Sequence, residues 1–459
     1  MSVGVVVLAA GKGTRMKTGK AKVLHEACGL TLLAWALRSS AAADPDETSV
    51  VVGYQGTEVA AALPDGAVSV VQEPQNGTGH AAQVGLAGFT QAHDTVVVMP
   101  GDMPLIHPDT IASLVASHTE SDAAATILTV DLDDPFGYGR VVAEGESVTA
   151  IVEERDATPE QRTISEVNTS VYVFDGALLA DGLERIGTDN DQGEQYLTDV
   201  IAVLVGDDHM VRSFGADQEE GLGVNSQGQL AEAASLLRGR INTDLLESGV
   251  WMLDPTRVYI DASVDVASGT EIYPDTYLTG STRIETGACI GPSVQINDST
   301  IGEGARVVNA VLNGATVGTQ ALVGPFAYLR PGAVLAAGAK AGAYVEIKNS
   351  EIGEGSKVPH LSYIGDTTIG RDTNVGAATV TVNYDGYAKH RTTIGDRVKI
   401  GSDTMLIAPV TIGDDASTGA GSVITHDVPE GALGVERNLQ QNIPDYAEKR
   451  RRRADGEAD

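Results

Sequence analysis

Two short segments of this chain carry side chains whose types and spacing suit phosphate chemistry. The first is LAAGKGTRM at 8–16. It sets Gly11 and Gly13 around Lys12, with Arg15 and then Lys22 close behind. Backbone N–H groups of a glycine turn can approach a triphosphate, and the cations can neutralise it. A dinucleotide fingerprint would need a third glycine where Met16 stands, and a P-loop would end in Gly-Lys-Ser/Thr, which is absent. A glycine turn alone would be unremarkable; the three cations are what point to a nucleotide. The second segment is Pro100-Gly101-Asp102, a carboxylate placed directly after an apolar run.

These segments need a frame that brings them together. Residues 4–10 form a near-continuous apolar run that stops at Gly11, as a buried parallel strand does on entering a turn. The runs 48–52, 67–71, 95–99 and 124–130 repeat the pattern, with helix-compatible stretches at 32–43 and 78–88 between them. Such alternation predicts an α/β domain, Rossmann-like, with a mostly parallel sheet and helices on both faces. Ligands of these sheets bind at the carboxyl ends of the strands, where 11–15 and 100–102 would both lie.

The C-terminal half has another period. Val317, Val323, Leu329, Leu335, Ala341 and Ile347 recur every six residues, and so do Ile394, Ile400, Leu406, Ile412, Thr418 and Ile424. Six is neither the helical period nor that of an alternating strand. It suits a short parallel strand and a tight turn, with one side chain per rung pointing into a narrow prism. The period breaks at 382–393, VNYDGYAKHRTT, a polar insert read as a functional arm on a rigid scaffold. The division expected is a nucleotidyltransferase domain at 1–226, a linking helix at 227–248, and a β-helix with a charged, frayed tail at 249–459.

Composition narrows the function. The 459 residues carry a formal net charge of -32, which argues against general nucleic-acid binding and makes any local cluster of Lys and Arg informative. Two distant cysteines, Cys28 and Cys289, form neither a disulfide framework nor a metal cluster. The N-terminus lacks a signal-peptide pattern, and no apolar run approaches the roughly 20 residues of a membrane span. A cytoplasmic enzyme is expected.

LAAGKGTRM followed by KVLH resembles the sugar nucleotidyltransferase signature. With QNGTGHA at 75–81, PGD at 100–102, YGR at 138–140, IVEERDAT at 151–158, EVNTSVYVF at 166–174 and GVNS at 223–226, the whole chain resembles one family. It is that of the bacterial bifunctional N-acetylglucosamine-1-phosphate uridyltransferase / glucosamine-1-phosphate N-acetyltransferases. The resemblance implies that Leu8, Ala9, Ala10, Gly11, Lys22, Gln72, Gly77 and Thr78 hold the nucleotide, with Pro100 and Gly101 beside them. It implies Gly139, Glu153 and Asn168 on the sugar side, and Asp102 and Asn225 as ligands of Mg²⁺. Lys22 and Arg15 would assist as a sugar phosphate, N-acetylglucosamine 1-phosphate, attacks the α-phosphorus of UTP.

Further along, FAYLRPGA at 326–333, YVEIKNS at 344–350 and VPHLSYIGD at 358–366 carry the resemblance into the left-handed β-helix of hexapeptide repeats. They imply His360 as general base, with Glu346 orienting it, and Arg330, Lys348, Tyr363 and Asn374 as the grip on glucosamine 1-phosphate. Ala377, Asn383, Tyr384, Ser402, Ala420 and Arg437 would bind acetyl-CoA. The family assembles this site between copies, so a homotrimer is expected. One alternative is a monofunctional sugar-1-phosphate nucleotidyltransferase with a structural β-helix. Another is a regulatory subunit with a dead catalytic domain, which would be expected to have lost Lys22, Asp102 or Asn225; all three are present.

Overall fold

A computed structural model describes residues 1–145, 147–188 and 193–456. The chain divides into two compact units, Met1–Ile241 and Asn242–Asp459. The helix Gln227–Glu247 runs through the division.

The first unit is built on a nine-stranded sheet. Its order is Ala67–Val71, Glu47–Val52, Val3–Ala9, Thr95–Pro100, Glu166–Asp175, Ala125–Asp131, Val211–Ala216, Ser147–Val152, Arg140–Glu144. The first four strands are mutually parallel, and Glu166–Asp175 enters antiparallel to both of its neighbours. Successive side chains of a strand face opposite sides. Val5 and Val7 therefore pack with Leu33, Ala36, Ile111 and Leu114, from the helices Leu32–Ser40 and Pro108–Ser121. Val6 packs with Ala82, Leu183 and Ile201, from the helices Thr78–Leu86, Gly176–Arg185 and Thr198–Gly206. Burial on both faces is why the strands read as unbroken apolar runs rather than as alternation.

The second unit is a left-handed parallel β-helix. Three sheets of 11, 10 and 9 short strands run along it among the described residues. Residues six apart fall on successive sheets, and the register closes one coil later: Leu329 lies beside Ile347, and Ile347 beside Ile364. All three are fully buried. Two residues before many of the aliphatics stands a small side chain, such as Ala321, Ala333 or Ala339, buried where the coil turns. Further on, hydroxyls take that place. Ser350 Oγ donates to the Lys348 carbonyl at 2.8 Å and accepts the Thr367 N–H at 2.9 Å, so this buried corner is satisfied, whereas the Thr392 hydroxyl is buried without a partner among the described residues.

Two expectations need correcting. Only 383–391 leaves the coil, because Val382 and Thr392 lie in the strands Val380–Val382 and Thr392–Ile394. The basic tail is a helix, Tyr446–Ala454, rather than frayed; its residues are exposed and Arg452 pairs with Glu448 one turn away. Residues 457–459 of the expected second domain lie outside the described ones. Among the described residues no helix is long and apolar enough to cross a membrane.

Candidate active sites in the two units

At the carboxyl ends of the first unit's parallel strands lies a cleft of about 1110 Å³. Leu8, Ala9, Ala10, Gly11, Arg15, Lys22, Gln72, Gly77, Thr78, Pro100, Asp102, Glu153 and Asn225 line it. Gly101 sits just behind, its N–H donating to the Leu8 carbonyl at 2.9 Å. The turn after the first strand brings Gly13 to a left-handed φ of 60°. A Cβ there would come within 2.5 Å of the Lys22 Cβ, so the glycine lets the two backbones close and fixes where Lys22 starts.

From there the Lys22 ammonium reaches two oxygens. It bonds the Asp102 carboxylate, and it donates to Asn225 Oδ1 at 3.0 Å. Arg15 Nη2 donates to the same amide oxygen at 2.9 Å. One carboxylate and one amide oxygen thus converge on a single positive charge. The other expected cation, Lys12, stands elsewhere, 5.7 Å over the Tyr54 ring.

Another wall is the N-terminal turn of Thr78–Leu86, whose dipole favours an anion although its Gly79 N–H already donates to the Gln195 carbonyl at 2.8 Å. Gly77 holds a φ of 102°, and a Cβ on it would lie 2.4 Å from the Gln195 carbonyl. Thr78 Oγ1 accepts the Leu197 N–H at 3.0 Å, and Gln72 Nε2 donates to the Gly77 carbonyl at 3.0 Å. These two side chains shape the wall. Asn168 is buried, with its N–H on the Gly139 carbonyl at 2.9 Å and its Nδ2 on the Tyr172 hydroxyl at 2.7 Å. Glu153 stands next to Gly139, facing the cleft; desolvation there pushes its carboxyl upward, and Asp156 and Asp199 add to the shift. Gln75, Arg155, Tyr172, Glu194 and Tyr196 also line the cleft. Sequence reasoning passed over them, because contacts across more than a hundred residues, such as Thr78 with Leu197, bring them there.

In the second unit the structure gathers most of the expected residues on two neighbouring faces. His360 ends the strand Lys357–His360 at a corner of the coil. Its imidazole is exposed and has no hydrogen-bond partner among the described residues. Below it the corner continues. The Ala378 N–H donates to the His360 carbonyl at 3.3 Å, Asp403 to Ala377 at 2.7 Å, and Gly421 to Ser402 at 2.9 Å. Arg437 Nη1 donates to the Ala420 carbonyl at 2.8 Å. Ala377, Ser402, Ala420 and Arg437 therefore form one column beneath His360.

The strand after His360 carries Tyr363, level with Glu346, and ends beside Lys348. A three-residue strand spans about 7 Å from first to last Cα, so the imidazole and the cations flank one short face. Arg330 Nη1 donates to Glu346 Oε1 at 2.8 Å. Glu346 is thus the partner of Arg330; level with Tyr363, it begins its strand at the end nearer His360. Asn374 stands apart from this group, on the adjacent sheet between Lys357 and Lys399. Tyr384 is exposed on the loop, its hydroxyl on the Gly386 carbonyl at 2.7 Å, whereas Asn383 is buried and bonded to Asp366. The structure adds Lys389. Its side chain meets that of Lys348, and this contact and the charge of Lys348 depress its pKa. No motif marks it, since the ejected loop brings it back over the sheet.

Residues 5–166 match the model of the MobA-like NTP transferase domain, and 391–426 that of the bacterial transferase hexapeptide (six repeats). Over 454 residues the chain is 50% identical to the bifunctional protein GlmU of Streptomyces avermitilis, covering 97% of this chain and 94% of that one. It is 49% identical to the bifunctional protein GlmU of Streptomyces coelicolor with the same coverage. The bifunctional protein GlmU of Corynebacterium aurimucosum is 47% identical over 455 residues, covering 97% and 93%.

Proposed function

The chain belongs to the family of bifunctional GlmU proteins, and from that premise we propose how its two units divide the work. The β-helix at 249–459 transfers acetyl from acetyl-CoA to glucosamine 1-phosphate. The domain at 1–226 then transfers uridylyl from UTP to the N-acetylglucosamine 1-phosphate so formed, releasing pyrophosphate and UDP-N-acetylglucosamine. The observation that carries the second activity is the face holding His360 at one end and Arg330, Lys348 and Lys389 at the other. A purely structural β-helix has no need to gather like charges there.

In acetyl transfer the cations hold the phosphate. His360, open at its corner, takes a proton from the substrate ammonium as the amine nitrogen attacks the thioester carbonyl; the C–S bond breaks and coenzyme A leaves as the thiol. The column from Ala377 to Arg437 receives the acyl donor. Asn374 lies on the neighbouring face, which suits a site completed between copies of the chain. An exposed apolar stripe on the phosphate-binding sheet, with Tyr277, Val311 and Tyr328, supports a homotrimer.

In uridylyl transfer the glycine turn and the Thr78 helix start hold the triphosphate, while Lys22 and Arg15 neutralise it. Glu153, Gly139 and Asn168 orient the sugar so that its phosphate oxygen faces the α-phosphorus. Asp102 and Asn225 suit Mg²⁺. They present two hard oxygens to one positive charge, and among the described residues no cluster of three or more His, Cys, Asp or Glu offers a full protein cage. Bound there, Mg²⁺ would supply charge stabilisation at the phosphates. With small-molecule substrates and no membrane-crossing helix among the described residues, the enzyme would work in the cytoplasm.

The test is a single reaction vessel. Purified chain given glucosamine 1-phosphate, acetyl-CoA and UTP should form UDP-N-acetylglucosamine, and omitting acetyl-CoA should abolish it. UDP-glucosamine formed in its place, or UDP-N-acetylglucosamine formed only when N-acetylglucosamine 1-phosphate is supplied, would point to the monofunctional alternative.

A further inference from the structure

The loop 383–391 leaves the coil, yet it is tied at three points. At its root Asn383 Nδ2 donates to Asp366, which also accepts from Asn349. At its exit Arg391 Nη2 donates to Thr368 Oγ1 at 2.7 Å. Across its middle the Asp385 carboxylate accepts the N–H groups of Tyr387 at 2.8 Å and Ala388 at 2.7 Å, and lies 2.7 Å from His390 Nε2. The His390 N–H closes the turn on the Asn383 carbonyl at 2.8 Å. Lys389 is the residue held inside this clasp.

Two features make the clasp more than ordinary loop packing. The Asp385–His390 pair is partly open to solvent, and such pairs add little to global stability. What it fixes is one turn, and that turn sets Lys389 against Lys348. Two ammonium groups brought together repel each other, and the Asp366 carboxylate near both offsets only part of that, so an untied loop would relax away from the sheet until a further anion arrived. A loop ordered beforehand spares the substrate that ordering cost on binding.

We propose that Asp385 is a positioning residue for acetyl transfer, holding Lys389 beside Lys348 so that both ammoniums meet the phosphate of glucosamine 1-phosphate together. This rests on the acetyl-transfer reading above. Asp385 acts through Lys389 and through no reacting atom, and His390 is its strut.

A double-mutant cycle tests it, with thiol release giving kcat and KM for glucosamine 1-phosphate, and thermal melting reporting on the fold. Asp385→Ala should raise KM about tenfold with kcat within about twofold of wild type. Lys389→Met should raise KM comparably. Because the two act in series, Asp385→Ala placed on Lys389→Met should add less than about twofold. His390→Gln, whose amide can still reach Asp385, should stay near wild type. If Asp385→Ala melts early, Asp385→Asn, which keeps an oxygen for the two amides, enters the same cycle with a smaller rise. A full tenfold increment on top of Lys389→Met, or a fall in kcat with KM unchanged, overturns the proposal. Wild type that releases no thiol overturns the reading beneath it. Thiol release in wild type with an unchanged KM in both Lys389→Met and Asp385→Ala overturns the positioning role alone.

Discussion

Lys22 and Asn225, some two hundred residues apart in sequence, meet at 3.0 Å, and the same ammonium bonds Asp102. The oxygens suited to a divalent cation are therefore engaged by a lysine that the triphosphate also needs. Replacing Asp102 by Asn removes the only carboxylate of that trio. UTP turnover, followed by pyrophosphate release, should fall at least about 100-fold, whereas thiol release from acetyl-CoA should keep its wild-type rate.

Gly13 controls Lys22 from behind. Gly13→Ala would force a non-glycine residue into a left-handed φ and press its Cβ onto the Lys22 Cβ. The expected result is a drop in UTP turnover of about tenfold or more from a displaced lysine, again with acetyl transfer intact. Steady-state kinetics of both reactions on one preparation would check it.

The phosphate end of the β-helix face should be separable from its base. Lys348→Met should raise the KM for glucosamine 1-phosphate by about tenfold or more while leaving the KM for UTP unchanged, since a charge-assisted contact to phosphate is lost. Initial-rate measurements with each substrate varied in turn would show it.

Asp366 gives a pH dependence. Burial pushes its carboxyl upward, but the amides of Asn349 and Asn383 and the charges of Lys348 and Lys389 outweigh that and hold it below the usual aspartate range. A carboxyl whose pKa is depressed on folding contributes stability above its unfolded value of about 3.9, and loses it as the pH falls through the folded one. Asp366→Asn should therefore melt earlier than wild type at pH 7, and the gap should close on acidification below pH of about 4. A gap that stayed constant down to pH of about 2.5 would contradict the ionised role.

Much of this was readable in the sequence because each signal was local or strictly periodic. Val317 through Ile347 step from sheet to sheet of the prism, so the spacing alone exposes the coil. The apolar run before Gly11 and the glycine turn likewise place the cleft at a strand end. What stayed hidden depends on where distant segments meet. The antiparallel entry of Glu166–Asp175 looks like any other apolar strand. Arg330 and Glu346 pair across one coil, a contact that residue type alone does not mark. Lys389 returns to Lys348 on a loop that leaves the coil and is bonded around Asp385, which residue type does not announce.

The central claim is that one chain carries two independent sites, with His360 the base of the second. Thiol release from acetyl-CoA with glucosamine 1-phosphate, measured on wild type beside His360→Ala with UTP turnover followed on both, tests it most directly. The variant should lose thiol release by about 100-fold to 10,000-fold and keep UTP turnover. Wild type that turns over UTP but releases no thiol, or a variant that releases it at the wild-type rate, would contradict the account.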